Sequence, residues 1–519
     1  MSLPPFKTLR NCQTVELESI PLVAAADFRA AIVGAVEDGS RICALFGAPA
    51  RRSGLALETA LTEAAESAAI RLFAVLADDH RGILSVMATD VRDAYPALTP
   101  DCPQAHWFER EIYEQWAIKP EGHPWLKPIR FHESYAKKAD SSRRSCVPIG
   151  ITDFFRLEGA EIHDVAVGPV HAGIMEPGHF RFECHGENVY HLEISLGYQH
   201  RGVEPALVGG PDRRTLHYME TLAGDTTIGH ATAYAHVLET LTGTAVSPRA
   251  LTIRGIALEL ERLANHVGDL GALAADVGYL PTASFCGRLR GDFLNMTALL
   301  CGSRFGRGLV TPGGVEFDLD NNLIAELQNR ISVAFKETAA AVNLLWDSPS
   351  VLARFENTGI ISADAVEDLG LVGPAARACD VVRDARYDLP SGIFRFVQIP
   401  VSTWSTGDVF ARAYVRWMEI QRSVDFIKSQ LAVLPEGQTI ADIAAPAPNS
   451  LAVSIVEGWR GEICHVAITD GDGRFRHYKI IDPSFHNWMG LALALRNQQI
   501  SDFPLCNKSF NLSYCGHDL

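Results

Sequence analysis

The segment RGIALELERLANHVGDL, residues 254–270, predicts the architecture of the largest part of the chain. Its apolar side chains recur at spacings of four, three, four and three residues, at Ile256, Leu260, Leu263, Val267 and Leu270. This period places them on one face of a long α-helix, and that face has to be buried against other elements. Residues 410–431 repeat the pattern. Two long helices that are each buried along one side predict a helical bundle core.

Strand patterns flank the helical segments on both sides. Apolar residues alternate over 180–184 and 192–196 around the turn Gly186, Glu187, Asn188, which predicts a β-hairpin. Short apolar runs at 71–76 and 82–86 predict an antiparallel pair near the N-terminus. Three further strands are predicted at 451–456, 463–468 and 477–481. The predicted fold class is therefore α+β.

The chain of 519 residues divides into two predicted domains. Residues 1–135 are predicted to form a small N-terminal α/β domain. Residues 136–150 show no periodicity and are interpreted as a linker. Residues 151–519 are predicted to form a large domain with a helical bundle core and peripheral β-hairpins.

Charge, hydropathy and cysteine spacing exclude several classes of function. The 62 Asp and Glu residues outnumber the 46 Lys and Arg residues, so nucleic acid is not an expected partner. No apolar stretch approaches the ~20 residues that span a bilayer, and the N-terminus lacks the pattern of a signal peptide. Eleven cysteines contain no CxxC pair, so no self-contained zinc site or redox dithiol is visible.

Three polar residues within the segment 254–270 share one helix face. Glu259, Arg262 and His266 lie at spacings of three and four residues beside the apolar stripe. A buried polar network that fixes the packing of the helices is the preferred interpretation. A proton relay is the alternative.

Several separated motifs together resemble one known architecture. The segment Trp107–Glu111, followed by Gly122-His-Pro124, resembles the 30-kDa-type subunit of respiratory complex I. Residues 151–519 resemble the large subunit shared by complex I and the nickel-iron hydrogenases. The fusion of both parts is similar to the large subunits of formate hydrogenlyase and hydrogenase-4 complexes. The matching motifs in the second part are Gly168-Pro-Val-His171, His200-Arg-Gly-Val-Glu204, Arg254 to His266, Thr311-Pro-Gly-Gly-Val315, Gly407-Asp-Val-Phe-Ala-Arg412, Glu457-Gly-Trp-Arg-Gly-Glu462 and Asp482-Pro-Ser-Phe-His-Asn487.

The resemblance also identifies the metal site that this sequence lacks. In the hydrogenases four thiolates in two CxxC pairs hold the nickel-iron centre, because soft ligands bind and bridge these metals. The corresponding positions here are Ala223, Thr226, Ser513 and Gly516. Cys515 lies between the last two, and one sulfur cannot hold a dinuclear centre. The resemblance therefore implies that this chain binds no metal.

In complex I the same ligands are missing, and the cavity is a quinone pocket. The resemblance implies that His171 and Tyr218 lie at the quinone headgroup, where they could donate protons. Each of them could instead be a structural residue. Glu204 corresponds to an acidic residue on the proton path of hydrogenases, or it forms an ion pair with Arg201 or a neighbouring helix. The pocket itself is expected to be open, and the alternative is a site filled by neighbouring side chains.

The implied function is that of a subunit in a membrane-associated, complex I-like oxidoreductase. Quinone is the possible cofactor, and the iron-sulfur cluster would belong to a small partner subunit. Ion-translocating membrane-arm subunits are the other expected partners, which places the chain peripherally on the cytoplasmic face of the inner membrane. The segment Trp107–Glu111 is interpreted as a docking surface for a neighbouring subunit. The alternatives are a non-catalytic structural subunit or an energy-converting hydrogenase large subunit, which the missing thiolates disfavour.

Overall fold

The computed structural model describes residues 6–50, 69–135, 152–171 and 175–519. The predicted linker at 136–150 lies outside the described residues, and the domain boundaries remain predictions. Within the described ranges, none of the helices combines the length and the apolar character needed to cross a bilayer.

The strands form several separate sheets. Their bounds are β1 Lys7–Leu9, β2 Gln13–Glu16, β3 Arg41–Pro49, β4 Ile70–Asp78, β5 Ile83–Val91, β6 Ala94–Pro96, β7 Lys119–Glu121, β8 Ile162–Val167, β9 His179–His185, β10 Asn188–Ser195, β11 Val310–Thr311, β12 Gly314–Val315, β13 Ser450–Gly458, β14 Gly461–Thr469 and β15 Phe475–Ile481.

The longest helices lie between the β10 and β13 strands. The α-helix bounds are α1 Ala25–Glu37, α2 His106–Trp116, α3 Val203–Ala206, α4 Thr215–Met219, α5 Thr227–Thr242, α6 Pro248–Asp276, α7 Leu280–Cys301, α8 Asn321–Trp346, α9 Pro349–Phe355, α10 Ala363–Leu369, α11 Pro374–Arg377, α12 Ala385–Asp388, α13 Val409–Ala432, α14 Pro483–Ala494, α15 Phe503–Phe510 and α16 Tyr514–His517.

The helical core has the predicted form. Helix α6 begins where the Ser247 side chain accepts a hydrogen bond from the backbone of Ala250, and Pro248 occupies the first turn. The five apolar residues predicted to lie on one face of α6 are all buried. Helix α6 packs against α7 and α13. The α+β class with a helical core is confirmed.

The predicted strand pairs are also confirmed. Strands β4 and β5 are antiparallel in a sheet of order β1-β5-β4-β3. Strands β9 and β10 form the predicted hairpin, which β8 extends to three strands. The C-terminal strands form a sheet of order β15-β14-β13-β2.

The edge strand of the C-terminal sheet comes from the other end of the chain. Strand β2 pairs with β13 in antiparallel register, with Val15 opposite Leu451. Asn11, just before β2, donates side-chain hydrogen bonds to the carbonyls of Leu389 and Ile455 at 2.6 and 2.8 Å. The segment that contains Asn11 and β2 therefore belongs structurally to the sheet that carries β13 to β15, whereas β1 pairs with β5.

The interpretation of Trp107–Glu111 as a docking surface is wrong. All five residues of this segment of α2 are buried inside the chain. The Phe108 ring packs on Phe485 at 5.0 Å between centroids, and Glu111 bonds Lys479 of β15 at 2.6 Å. The segment is an internal contact between the N-terminal region and the C-terminal sheet, because its charged groups find partners within the same chain.

Candidate functional site

The two segments at which thiolates were expected meet in space. The Gly224 backbone lies next to the Cys515 thiol. The Arg460 guanidinium donates to the Thr226 hydroxyl at 3.2 Å and to the Asn511 carbonyl. We call this place, where the turn 223–226 meets the tail 513–516, the turn–tail site.

The hydroxyl groups at the turn–tail site are already engaged in hydrogen bonds. The Thr226 hydroxyl accepts from the Trp459 indole at 3.1 Å and donates to Asp225 at 3.1 Å. The Ser513 hydroxyl accepts from the backbone N–H of Gly516 at 3.0 Å and lies 3.3 Å from the Cys515 sulfur. Neither oxygen is left as a free donor atom for a soft metal.

At Gly516 a carboxylate occupies the space that a side chain would need. A Cβ atom built on Gly516 would lie 2.6 Å from Cγ of Asp482, which is closer than real Cβ contacts. Asp482 is fully buried and comes from the loop before α14. The missing side chain at 516 therefore makes room for a carboxylate that the sequence did not identify as a site residue.

An ion pair between the buried Arg460 and the partly exposed Asp225 provides the charge at the turn–tail site. Both terminal nitrogens of Arg460 bond the Asp225 carboxylate, at 2.6 and 2.7 Å. The guanidinium also lies over the Trp459 ring, 3.9 Å from its centroid.

The side chains at this place do not fit a nickel-iron centre. Ala223 and Gly516 have no donor atoms, and both hydroxyls are engaged. Burial raises the pKa of Cys515 to about 11, so its sulfur stays a protonated thiol at neutral pH. Within the described part of the chain, no group of three or more His, Cys, Asp or Glu residues could hold a metal ion.

We therefore expect the purified protein to contain far less than one nickel atom per chain, even from nickel-supplemented cells. The physical reason is the lack of thiolate ligands, since hydroxyls are poor ligands for soft metals. Metal analysis by mass spectrometry checks this expectation. One nickel per chain, retained after treatment with a chelator, would contradict it.

His171 lies on a loop that reaches the tail. Its Nε2 is 3.0 Å from the Gly178 carbonyl. A Cβ on Gly178 would lie 2.6 Å from the Tyr514 ring, and the backbone N–H of Tyr514 donates to Glu176 at 3.0 Å. The structure thus brings the segment around His171 against the tail half of the turn–tail site.

Tyr218 lies on the short helix α4, which precedes the turn. Its side chain is partly buried and packs against a cluster that contains Tyr234, Tyr478 and Leu519. The neighbouring His217 is exposed, with its Nδ1 3.5 Å from the Glu220 carboxylate. The acidic group beside this helix is therefore Glu220, which lies next to His217.

Glu204 forms an ion pair, but not with Arg201. Its carboxylate lies 2.9 Å from the Lys479 ammonium and accepts from the backbone N–H of Ile480 at 3.0 Å. Arg201 instead donates to the carbonyls of Thr221 and Leu222. The catalytic role of Glu204 remains a prediction, and its described contacts are those of a residue that joins elements.

The predicted polar network on α6 is present. His266 Nε2 lies 2.8 Å from Glu419, which also accepts from Arg377 at 2.9 Å. Arg262 donates to Glu259 at 3.1 Å and to the Gly458 carbonyl at 3.0 Å. The network ties α6 to α13 and to the C-terminal sheet.

Sequence reasoning missed one set of residues behind the turn–tail site. Asp482 is hydrogen-bonded to His230, His230 to His465, and His465 to Tyr478. Asp482 opens the matching motif Asp482–Asn487, and His230 lies four residues after Thr226. No local pattern indicates that they meet, because their contact depends on the packing of α5 against β14 and the loop before α14.

Comparison with known proteins identifies the family. Residues 276–450 match "Respiratory-chain NADH dehydrogenase, 49 Kd subunit", and residues 52–142 match "Respiratory-chain NADH dehydrogenase, 30 Kd subunit". The carbon monoxide-induced hydrogenase of Rhodospirillum rubrum is 30% identical over 353 residues, which cover 67% of this chain and 97% of that protein. The chain belongs to the family of large subunits shared by respiratory complex I and hydrogenases.

Other members of this complex I and hydrogenase family match over longer or similar ranges. Formate hydrogenlyase subunit 5 of Escherichia coli is 28% identical over 432 residues, covering 81% of this chain and 76% of that protein. NADH-quinone oxidoreductase subunit 4 of Thermus thermophilus is 29% identical over 369 residues, covering 66% of this chain and 90% of that protein. The resemblance read from the sequence motifs is confirmed.

Proposed function

We propose that this chain is the large subunit of a membrane-associated, complex I-like oxidoreductase that reduces a quinone-type carrier near the turn–tail site. The observation that carries the proposal is the donor set of that site. A family member without metal ligands needs another electron acceptor, and its thiolate positions here adjoin the loop that carries His171. One relative is a subunit of an NADH-quinone oxidoreductase, which supports a quinone as the acceptor.

In the proposed reaction, the quinone gains two electrons and two protons to form the quinol. The electrons come from an iron-sulfur cluster held by a small partner subunit. His171 and Tyr218 each donate a hydrogen bond to one carbonyl oxygen and then a proton, and both are reprotonated from solvent. Donors fixed in the protein stabilise the negative charge that develops on the carbonyl oxygens.

We further propose that the chain works peripherally, on the cytoplasmic face of the inner membrane, with ion-translocating subunits as additional partners. Two relatives are named as numbered subunits of larger enzymes, which supports assembly into a complex. The absence of a span-length helix among the described residues is compatible with a peripheral position.

The second candidate function is that of a structural subunit without a substrate. It is favoured by the hydrogen bonds that engage Thr226 and Ser513 and by the carboxylate packed against Gly516. In that case the site would be a closed polar core that joins the elements around it. The two candidates differ in whether the purified complex reduces a quinone.

We expect Tyr218→Phe and His171→Ala, combined in the purified complex, to lower the rate of decylubiquinone reduction by about 10²-fold. The reason is the loss of two positioned proton donors. The rate is measured spectrophotometrically with an artificial electron donor.

The matched control is the pair Tyr190→Phe and His163→Ala. It alters one exposed tyrosine of β10 and one exposed histidine of β8, in the sheet of order β10-β9-β8. The control should keep the wild-type rate. An unchanged rate in the Tyr218 and His171 variant would remove these residues from the reaction. A wild-type complex that reduces no quinone would favour the structural subunit.

A further inference from the structure

Four buried side chains form a continuous hydrogen-bonded chain behind the turn–tail site. Asp482 Oδ2 lies 3.1 Å from His230 Nε2, and His230 Nδ1 lies 3.1 Å from His465 Nε2. His465 Nδ1 lies 3.0 Å from the Tyr478 hydroxyl. All four residues are fully buried.

The chemistry of these groups allows one order of donors and acceptors when both imidazoles are neutral. The Asp482 carboxylate only accepts, so Nε2 of His230 carries the hydrogen and its Nδ1 accepts. His465 then donates from Nε2 and accepts at Nδ1, which leaves the Tyr478 O–H as the first donor. All three hydrogen bonds therefore point toward Asp482.

The electrostatics agree with this order. Burial favours the neutral form of Asp482, but the interactions with His230, Arg460 and Ser484 together outweigh it and lower the pKa of the carboxyl below its usual range. Burial and the neighbouring His230 hold the pKa of His465 well below its usual range, so this imidazole is neutral. Burial raises the pKa of Tyr478 well above its usual range, so the hydroxyl keeps its hydrogen.

The ends of the chain of four residues lie at different places. Asp482 packs against Gly516 at the turn–tail site. Tyr478 lies in the apolar cluster against which Tyr218 packs. Arg460, Asp225 and His486 also face Asp482, whereas Cys464 and Tyr234 face Tyr478.

We propose that Tyr478, His465, His230 and Asp482 form a proton relay that delivers protons to the turn–tail site. A proton arriving at the Tyr478 oxygen displaces the hydroxyl hydrogen to His465 Nδ1. The Nε2 hydrogen of His465 moves to His230 Nδ1, and the Nε2 hydrogen of His230 moves to Asp482. One proton enters and one neutral carboxyl forms, with no electron transferred.

The acceptor for the Asp482 proton is His171 after it has given its own proton to the reduced quinone-type carrier, so this step depends on the function proposed above. After Asp482 gives up its proton, the carboxylate is restored. The two imidazoles and the hydroxyl then rotate or exchange hydrogens to regain their starting order. The relay deepens the proposed function by naming the source of protons, while His171 and Tyr218 remain the groups at the carrier.

The test uses Asp482→Asn and Tyr478→Phe in the purified complex, with decylubiquinone as the probe. The asparagine oxygen can still accept from His230, but it cannot take up a proton. Each variant is expected to reduce quinone about 10²-fold more slowly and to change the pH profile. The matched control is Tyr234→Phe. The ring centroid of Tyr234 lies 6.5 Å from that of Tyr478, and Tyr234 is not a member of the relay. This variant should keep the wild-type rate and the wild-type pH profile.

A second measurement does not require activity. In ¹⁵N NMR of the complex with labelled histidine, both His230 and His465 should carry hydrogen on Nε2, and Tyr478→Phe should alter the signal of His465. Any other pair of tautomers would overturn the relay, as would quinone reduction with unchanged rate and pH profile in both variants. If the wild type reduces no quinone but shows the expected tautomers, the proposed function fails and the order of hydrogen bonds stands.

Discussion

Replacing Lys479 by methionine is expected to lower the free energy of unfolding by about 3–5 kcal/mol, because it leaves the buried Glu204 without its ion-pair partner and Glu111 with Arg130 alone. The Lys479 ammonium lies 2.6 Å from Glu111 and 2.9 Å from Glu204, and its side chain is fully buried. Lys479 and Arg130 outweigh the effect of burial and lower the pKa of Glu111 to about 2, so this carboxylate is ionised at neutral pH. Denaturant unfolding of the purified protein measures the change.

The matched control for Lys479→Met is Arg288→Met, which removes a cation from a surface ion pair. Arg288 is half exposed and pairs with Asp292 at 2.9 Å, so its loss should cost no more than about 1 kcal/mol. Adding Glu204→Gln to Lys479→Met should restore part of the lost stability, since it neutralises the carboxylate that has lost its ion-pair partner, whereas Glu111 still pairs with Arg130. A loss below 1 kcal/mol for Lys479→Met alone would show that water or another cation compensates these carboxylates.

The same cluster explains why one part of the architecture was not predictable from the sequence. The segment Trp107–Glu111 contains no paired nucleophile and base, which favoured a docking surface over a catalytic role, and isolated charges are rarely buried. Inside the fold, Glu109 accepts backbone hydrogen bonds from Leu98 and Thr99, at 2.8 and 3.0 Å, and Glu111 meets Lys479. Their partners lie on other elements, and no local spacing indicates those contacts.

The elements that were predictable are those whose burial leaves a periodic pattern. Helix α6 and the hairpin of β9 and β10 repeat apolar residues at their own periods, so the sequence predicts them. Strand β2 has only four residues, Gln13–Glu16, and pairs with a strand more than 400 residues away. Such a short segment contains too little periodicity to indicate a strand, and its pairing depends on the assembled sheet.

The candidate site was predictable where it depended on residue type. The side chains of Ala223 and Gly516 have no donor atom for a metal in any fold. Their identity at the thiolate positions was therefore sufficient to predict that these two ligands are missing. The groups that now fill the site, Asp482 and Arg460, are ordinary charged residues in the sequence. Their role follows only from the contacts with Gly516 and with Asp225 and Thr226.

A second large effect is expected from Glu261, which lies under the turn–tail site. Its carboxylate accepts from the backbone N–H groups of Ile228 and Gly229, at 2.7 and 3.2 Å, at the start of α5. Burial, which outweighs these hydrogen bonds, raises the pKa of Glu261 from 4.5 to about 8. Ionising this group in the folded protein is therefore unfavourable at neutral pH.

The raised pKa predicts the direction of a pH effect on stability. Between pH 4.5 and 8 the folded protein binds a proton at Glu261 that the unfolded chain has lost, so this contribution decreases as pH rises. It is fully present below pH 4.5 and is lost as the pH rises through about 8. Since one pKa unit corresponds to about 1.4 kcal/mol, the total is on the order of a few kcal/mol.

Glu261→Gln is expected to remove this decrease, because the amide is neutral at every pH and its oxygen still accepts from the start of α5. Unfolding curves of the wild type and the variant, measured at several values between pH 5 and 8, should therefore give similar free energies of unfolding at low pH. At high pH the variant should be the more stable protein. Glu326→Gln, on the exposed surface of α8, is the control and should leave the wild-type slope unchanged. If Glu261→Gln keeps that slope as well, the group that titrates lies elsewhere in the chain.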